Sequence, residues 1–266
     1  MPAFEPDAAP VAFDAARPAF ARLRTWVASA PAYPPDAADL RSVEILGLRL
    51  PVRASAAVLL VALLLLLDYH QRLDGVVQGV TGWASATPAD AKRIQGVGRL
   101  LLLGGVPLLM VVAGFRDRVS RYGLRLGDWR TGVTLGVGVS LLMTPVVLAL
   151  ARVPAFAAYY APQAASAPDV FLTSALDVLP AEFFYRGFLL FALLRITGPF
   201  ALVVATLPFA FAHLGKPELE TLSTLGGGLV YGWLDWRTGS VLWSGLAHTW
   251  ILGLVVVAAG ASMPPG

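Results

Sequence analysis

Long apolar stretches alternate with short polar ones along most of this chain. A helix needs about 20 predominantly apolar residues to cross the hydrocarbon core of a bilayer. Stretches that approach this length lie at about residues 51–68, 100–115, 131–153, 170–196, 199–214, 219–236 and 241–259. The pattern therefore predicts an all-α fold, a polytopic transmembrane helix bundle of about seven spans.

The composition agrees with a membrane protein. Hydrophobic residues make up 57% of the chain, charged residues only 14%, and the mean hydropathy is +0.68, which excludes an ordinary soluble domain. The net charge is +3, with the basic residues in short runs between apolar stretches, so we expect no nucleic-acid partner. The chain has no cysteine, which excludes disulfides, thiolate metal sites and a cysteine nucleophile.

Polar segments divide the chain into two parts. Residues 1–50 are rich in Ala, Pro and charge and are predicted to form an N-terminal tail. Within this tail, Phe13 to Val27 alternates aromatic and arginine residues, which fits either an interfacial helix on an anionic leaflet or a partly disordered segment. Residues 51–266 are predicted to form the transmembrane bundle, with Tyr69 to Arg99 as a polar connector.

The loop charges predict an orientation. A strongly basic loop between the second and third apolar stretches contains Arg116, Arg118, Arg121, Arg125 and Arg130. Cytoplasmic loops carry an excess of Lys and Arg, so we expect this loop to be cytoplasmic. The segment at 154–168 has neither Lys nor Arg and is expected on the opposite side, which makes the N-terminus cytoplasmic as well.

The fourth apolar stretch contains a carboxylate and a guanidinium four residues apart, Glu182 and Arg186. Pro180 lacks an amide donor, so we expect it to kink or break the helix just before Glu182. A structural interpretation is a buried ion pair that locks two helices together. Ionisable residues inside a membrane are usually functional, and the alternative is a site in which Glu182 acts as general base for a water and Arg186 orients a substrate carboxylate or carbonyl.

Two later apolar stretches each contribute one histidine, His213 and His248. Either imidazole alone could be a core histidine bonded to a neighbouring helix. Together with Glu182, the two could hold a zinc ion or a polarised water and stabilise an oxyanion. Bis-His haem ligation is another chemistry for the pair, although it leaves Glu182 and Arg186 unexplained. The triple glycine at 226–228 is expected to let neighbouring helices approach closely.

The order of these segments resembles the CPBP family of intramembrane proteases, which includes the type II CAAX prenyl endopeptidases and the bacterial abortive-infection-like proteins. The resemblance covers about residues 165–260. It is carried by Ala181-Glu182-Phe183-Phe184-Tyr185-Arg186-Gly187, by Phe209-x-x-x-His213, and by Gly232-Trp233-Leu234-Asp235-Trp236-Arg237-Thr238-Gly239-Ser240 running into Leu246-Ala247-His248.

The resemblance implies a helical bundle with a cavity that opens into the bilayer, in the cytoplasmic membrane of a bacterium. In it, a glutamate and histidines activate water to hydrolyse a peptide bond of a membrane-anchored protein or peptide, for example in processing a C-terminal tail. The implied catalytic set is Glu182, His213, His248 and Arg186. The family is commonly described as metalloproteases, and Glu182, His213 and His248 would be the ligands if a zinc ion is used.

Two positions depart from the family pattern. The family usually has two adjacent glutamates, then three other residues, then an arginine, and the first glutamate of that pair corresponds to Ala181 here. Its last histidine is usually followed four residues later by Asn or Asp, and Leu252 stands there. Asp177, one turn before Ala181, could supply a carboxylate only if the helix continues through Pro180. Two functions follow: an intramembrane endopeptidase, or a non-catalytic relative that acts as a membrane binding or immunity protein.

Overall fold

The computed structural model describes residues 30–70 and 73–262 of the chain. The candidate interfacial helix at residues 13–27 lies outside these ranges. Two short strands, β1 (Ser42–Ile45) and β2 (Leu48–Pro51), precede the helices. The helices are α1 (Val52–Tyr69), α2 (Asp74–Thr81), α3 (Pro88–Gly114), α4 (Trp129–Leu150), α5 (Pro154–Tyr160), α6 (residues 167–197), α7 (Phe200–Phe211), α8 (Glu218–Thr238) and α9 (Leu242–Ala261).

The predicted helical bundle and its membrane character are confirmed. Four helices, α1, α3, α4 and α9, are long and apolar enough to cross a membrane, and α7 is a shorter apolar helix. Each of the seven predicted stretches contains helix in the described residues. The total of about seven spans stays a prediction.

A small hairpin departs from the predicted all-helical pattern. Strands β1 (Ser42–Ile45) and β2 (Leu48–Pro51) pair antiparallel. Leu46 and Gly47 both have positive φ, 52° and 79°, as the tightest hairpin turns require. Such a short, exposed pair gives little signal in the sequence, because most of its apolar side chains face outwards.

The polar connector predicted at Tyr69 to Arg99 contains α2 and the first turns of α3. Thr87 and Asp90 form a capping box at the start of α3. At the other end of this segment, the Arg99 guanidinium bonds Asp68 of α1 and Asp177 of α6. These ion pairs join three helices and explain why polar residues continue into the helical region.

The expected break at Pro180 does not occur. Helix α6 runs as α-helix from Ala167 to Glu182, as π-helix over Phe183–Leu190, and as α-helix again over Phe191–Thr197. Pro180 lies inside the α-helical part, and the π segment begins three residues after it. Glu182 therefore ends the α-helical part of a continuous helix, immediately before the π segment.

Glycines set how closely the helices around the site approach. A Cβ built on Gly245 of α9 would lie 2.9 Å from Leu179 Cδ2 and 3.8 Å from Glu182 Cβ, so α9 passes directly over α6. Of the triple glycine in α8, only Gly228 has such a role, against Thr206 of α7. Gly226 and Gly227 face open space, so the predicted close approach is wrong for these two.

The predicted basic loop takes part in an ion-pair network. Arg121 bonds the carboxylates of Asp36, Asp39 and Asp117, and Arg53 at the start of α1 pairs with the same acidic residues. The loop is thereby held against the segment that precedes the hairpin. Its predicted cytoplasmic position stays a prediction.

Candidate active site

Three helices, α6, α7 and α9, bring the four predicted site residues together. Glu182 and Arg186 lie in the middle of α6, His248 lies in α9, and His213 lies just after the end of α7. Helix α8 covers the site with Tyr231. All four residues are buried or nearly so. The exposed fraction of the side chain is 2% for Glu182 and 18% for His248.

Both oxygens of the Glu182 carboxylate are engaged. Oε1 lies 2.6 Å from Nδ1 of His248, and Oε2 accepts a hydrogen bond from Nη1 of Arg186 one turn along the same helix. Charge-assisted bonds of this kind are the stronger ones, and they restrain the carboxylate in one orientation. Glu182 therefore links α6 to the imidazole of α9.

Aromatic rings enclose the Arg186 guanidinium. Its central carbon lies 4.0 Å from the ring centroid of Phe209 and 5.4 Å from that of Tyr231, positions that favour a cation over a ring face. Nη1 is bonded to Glu182, while Nη2 is buried and has no hydrogen-bond partner among the described residues. The arginine is thus held on one side by a carboxylate and on its faces by two aromatic side chains.

The two histidines lie near each other, with ring centroids 6.4 Å apart and planes 20° from parallel. Nδ1 of His213 lies 2.8 Å from the carbonyl oxygen of Phe209. A carbonyl only accepts, so we assign the proton of His213 to Nδ1, and the bond to the Glu182 carboxylate assigns the proton of His248 to Nδ1 as well. In the neutral form of either ring, Nε2 is then left as an acceptor.

The donor set does not fit a zinc site. No three His, Asp or Glu side chains gather as metal ligands in the ranges that the structure describes. The Glu182 carboxylate is occupied by Arg186 and by Nδ1 of His248, which leaves the two imidazole Nε2 atoms as candidate ligands from the predicted set. A catalytic zinc usually takes three protein ligands. We therefore derive no chemical step through a metal.

The positions that depart from the family pattern have identifiable surroundings. Asp177 lies in a continuous turn before Ala181, but its carboxylate bonds Arg99 and lies 3.7 Å from Lys92. Ala181 packs at the edge of the main apolar core, and Leu252 packs in the second core beside α5. Glu182 is thus the carboxylate that bonds the imidazole of α9.

Sequence reasoning missed two residues beside this cluster, Tyr231 and Asp235 of α8. The Tyr231 ring stacks on His248, with centroids 5.7 Å apart. Asp235, one turn further along α8, is completely buried. Their i, i+4 spacing in a glycine-rich helix was the available signal, since it places an aromatic ring and a carboxylate on one face.

Residues 162–253 match the family model described as "Type II CAAX prenyl endopeptidase Rce1-like". The predicted resemblance is confirmed. The matched segment includes all of α6, α7 and α8, most of α9, and the four site residues. The family is a family of proteases, and the apolar helices make the chain an integral membrane protein. No curated protein and no solved structure matches the chain.

Proposed function

We propose that this protein is a membrane-embedded endopeptidase that uses an imidazole-activated water to hydrolyse a peptide bond of a membrane-anchored protein. The observation that carries the proposal is the bond between Glu182 Oε1 and His248 Nδ1, at 2.6 Å, inside a bundle of apolar helices. A carboxylate that holds Nδ1–H of a histidine orients the ring and stabilises the imidazolium that forms when Nε2 accepts a proton. The match to a protease family supports the same reaction class.

His248 serves as the general base in this mechanism, and Glu182 serves as its orienting partner. The sequence favoured Glu182 itself as the base, but both of its oxygens are bonded. The Nε2 atom of His248 takes a proton from water as the water oxygen attacks the scissile carbonyl carbon. The tetrahedral intermediate then loses the amine, which leaves with the proton returned from His248.

His213 holds the water from a second direction. Its Nδ1–H bond to Phe209 fixes the ring and leaves Nε2 to accept a hydrogen bond from the attacking water. Two acceptors, the Nε2 atoms of His213 and His248, would take both O–H groups of the water and direct an oxygen lone pair towards the substrate. This role requires the imidazole of His213 to be neutral in the resting site.

Arg186 keeps Glu182 ionised and in place. An isolated carboxylate inside a membrane protein is costly, and the neighbouring guanidinium offsets part of that cost. The Phe209 and Tyr231 rings restrict where the guanidinium can move. Arg186 therefore acts on the reaction through Glu182 and His248 rather than through contact with the substrate.

The proposed endopeptidase activity is tested by carrying out the reaction in water enriched in ¹⁸O. Purified wild-type protein in lipid vesicles is incubated with membrane proteins from the native host, and new peptide termini are identified by mass spectrometry. A hydrolase places ¹⁸O in the carboxyl group at each newly formed C-terminus, and the position of that terminus shows whether a C-terminal tail is removed. Comparison of the wild type with variants shows whether the cleavage depends on this site.

Asp169→Asn provides the matched control for Glu182→Gln, because both change an acidic residue of α6 to its amide. Asp169 lies in the first turn of α6 and its side chain is half exposed. The proposal predicts labelled termini with the wild type and with Asp169→Asn, and none with Glu182→Gln. Absence of labelled termini with every protein would favour the non-catalytic binding or immunity role.

A further inference from the structure

The hairpin that precedes α1 has one apolar face and one polar face. Successive side chains of a strand point to opposite faces, and residues paired across the ladder share a face. The register pairs Glu44 with Arg49, which define the polar face. The opposite face is apolar throughout and consists of the two neighbouring pairs, Val43 with Leu50 and Ile45 with Leu48.

This apolar face is exposed. Its four residues have between 36% and 64% of their surface accessible, and Leu46 at the turn is 98% exposed. None of these five residues belongs to a hydrophobic core cluster of the described chain. A contiguous apolar patch that remains exposed after folding marks an interaction surface. The hairpin therefore presents its apolar face and its turn to a partner outside the bundle.

The polar face of the hairpin satisfies its own polar groups. Glu44 and Arg49 lie directly across the ladder from each other, a position that favours opposite charges. Arg49 also donates from Nε to the hydroxyl of Ser42 at 2.7 Å. This face can remain in water, so the two faces are suited to different surroundings.

The length of α1 places the hairpin at the membrane surface. Helix α1 has 18 residues and is apolar enough to cross a membrane. At 1.5 Å per residue it is about 27 Å long, and the hydrocarbon core is about 30 Å thick. All of α1 is therefore needed to cross the core. Strand β2 ends at Pro51, the residue immediately before α1, so the hairpin begins where the hydrocarbon ends.

Contacts at its base keep the hairpin near that boundary. The amide of Val52 donates to the carbonyl oxygen of Arg41 at 2.8 Å. Nη1 of Arg53, in the first turn of α1, lies 2.9 Å from the carboxylate of Asp39, which also bonds Arg121. A strand of four residues reaches only about 14 Å from this base. The headgroup layer is roughly 5–8 Å thick, so the hairpin lies within it or directly against it.

Exposed arginines surround the same end of α1. Arg41 lies at the base of β1, and Arg116 and Arg118 flank Asp117, which pairs with Arg53. All three side chains are exposed. Cationic side chains at this depth attract the phosphates of anionic lipids. The charge around the hairpin is thus complementary to an anionic lipid surface.

We infer that the hairpin is a membrane-surface anchor whose partner is the lipid of the leaflet in which α1 begins. Its apolar face and Leu46 insert at the boundary between headgroups and acyl chains, as the apolar face of an interfacial helix does. The polar face remains towards water, and the arginines contact anionic headgroups. The inference is independent of the proposed function, because it involves no residue of the candidate active site.

Site-specific fluorescence tests the inference without any assay of activity. The chain has no cysteine, so one introduced cysteine carries a thiol-reactive fluorophore at a single chosen position. Ile45→Cys and Glu44→Cys are adjacent and lie on opposite faces of the hairpin. The full-length proteins are placed in phosphatidylcholine–phosphatidylglycerol vesicles, with iodide on both sides as the aqueous quencher. Lipids spin-labelled on the acyl chain serve as the membrane quencher.

The label at position 45 should be quenched by the spin-labelled lipid at least about threefold more than the label at position 44, and the iodide order should be reversed. Leu59→Cys, on an exposed position of α1, gives the value for a label in lipid. Equal quenching of the two hairpin labels by the lipid overturns the inference. A position 45 label that neither quencher reaches shows that protein covers the face, which also overturns it.

The second strand provides a replicate if either β1 variant does not fold. Leu48→Cys and Arg49→Cys form the corresponding adjacent pair on opposite faces, and the same order of quenching is expected. If the first pair agrees with the anchor and the second does not, the hairpin does not lie with one face in lipid, and the inference fails.

The lipid composition tests the role of the arginines. Adding phosphatidylglycerol to phosphatidylcholine vesicles should increase lipid quenching of the Ile45→Cys label, because anionic headgroups draw the basic end of α1 towards the surface. The increase should be smaller when Arg41→Gln, Arg116→Gln and Arg118→Gln are combined. An increase of the same size in both proteins contradicts the proposed contacts between these arginines and anionic lipid.

Discussion

Glu182 and His248 are 66 residues apart in the chain, and their side chains meet at 2.6 Å between Oε1 and Nδ1. The contact joins the end of the α-helical part of α6 to the first half of α9. Gly245, one turn before His248, makes the contact possible because it has no side chain to separate the two helices. A carboxylate–imidazole pair held in this way has the arrangement of a base and its orienting group.

The two ring nitrogens of His248 have different predicted roles, and two substitutions separate them. In His248→Asn, the amide nitrogen stands near the position of Nδ1 and can still donate to Glu182, but the base at Nε2 is lost. In His248→Gln, the amide nitrogen stands nearer to Nε2, and the bond to Glu182 is lost. We expect both variants to lose activity by at least about 100-fold, and His248→Asn to stay closer to wild type in thermal stability.

Turnover of the membrane substrate and the unfolding midpoint in detergent measure the two roles. His70, at the end of α1, provides the control His70→Asn, which should retain activity and stability. Activity of His248→Asn within about threefold of wild type would exclude Nε2 as the base. Equal stability of the two His248 variants would instead argue against a structural contribution of the bond to Glu182.

The α6–α9 contact depends on Gly245. Valine at this position would place its side chain against Leu179 and Glu182, so the helices must separate or repack. We expect Gly245→Val to destabilise the protein by about 1–3 kcal/mol and to reduce activity by displacing His248 from Glu182. Gly226→Val is the matched control, because a Cβ at Gly226 meets nothing within 4 Å.

Unfolding midpoints and turnover of both glycine variants test whether the α6–α9 contact depends on Gly245. Gly226→Val should be as stable as wild type or slightly more stable, because valine is less unfavourable than glycine in a helix. A Gly245→Val protein with unchanged midpoint and turnover would show that the close helix approach is not needed for the site.

The ion pairs outside the bundle predict a pH dependence of stability. Burial raises the pKa of Asp36, but a backbone hydrogen bond from Asp39 and the Arg121 guanidinium outweigh it and lower the pKa to about 2. An unfolded aspartate has a pKa of about 3.9. A carboxylate with a lowered folded-state pKa contributes stability that is fully present above the unfolded value and is lost as pH falls through the folded value.

Asp36→Asn should therefore be less stable than wild type at pH 5, and the two proteins should converge near pH 2. Because the Asp36 side chain is 46% exposed, solvent screens the interaction, and we expect a difference on the order of 2 °C in the midpoint at pH 5. Midpoints measured from pH 5 to pH 2 test this. A difference that is constant over that range would assign the effect of the substitution to something other than charge.

The sequence predicts the fold class well because hydrophobicity is a local property. The apolar run of α1, for example, differs from the described helix by about one residue at either end. The start of α3 was missed because Pro88 to Arg99 is polar, although it continues directly into an apolar helix. The π segment after Glu182 was missed because a change in backbone hydrogen bonding leaves no pattern of apolar positions.

The site residues could be proposed from sequence because charges and imidazoles are rare in apolar helices. The pair of Glu182 and Arg186 follows from their i, i+4 spacing, but the bond between Glu182 and His248 could not be predicted, since it depends on the rotation of α6 and α9 about their axes. Asp177 and Glu182 look alike as buried acidic residues of one helix, yet one bonds Arg99 and the other bonds His248. The buried position of Asp235 likewise depends on how α8 packs against α6 and α9.

The central claim is that the Glu182–His248 pair makes this chain a hydrolase. The most direct measurement is the turnover of one cleavable membrane substrate by wild type and by Glu182→Gln, with both proteins shown to be folded. Glutamine can keep the shape of the side chain but no longer stabilises an imidazolium, so we predict a loss in kcat of roughly 10³–10⁴. Turnover by Glu182→Gln within about threefold of wild type would contradict the account.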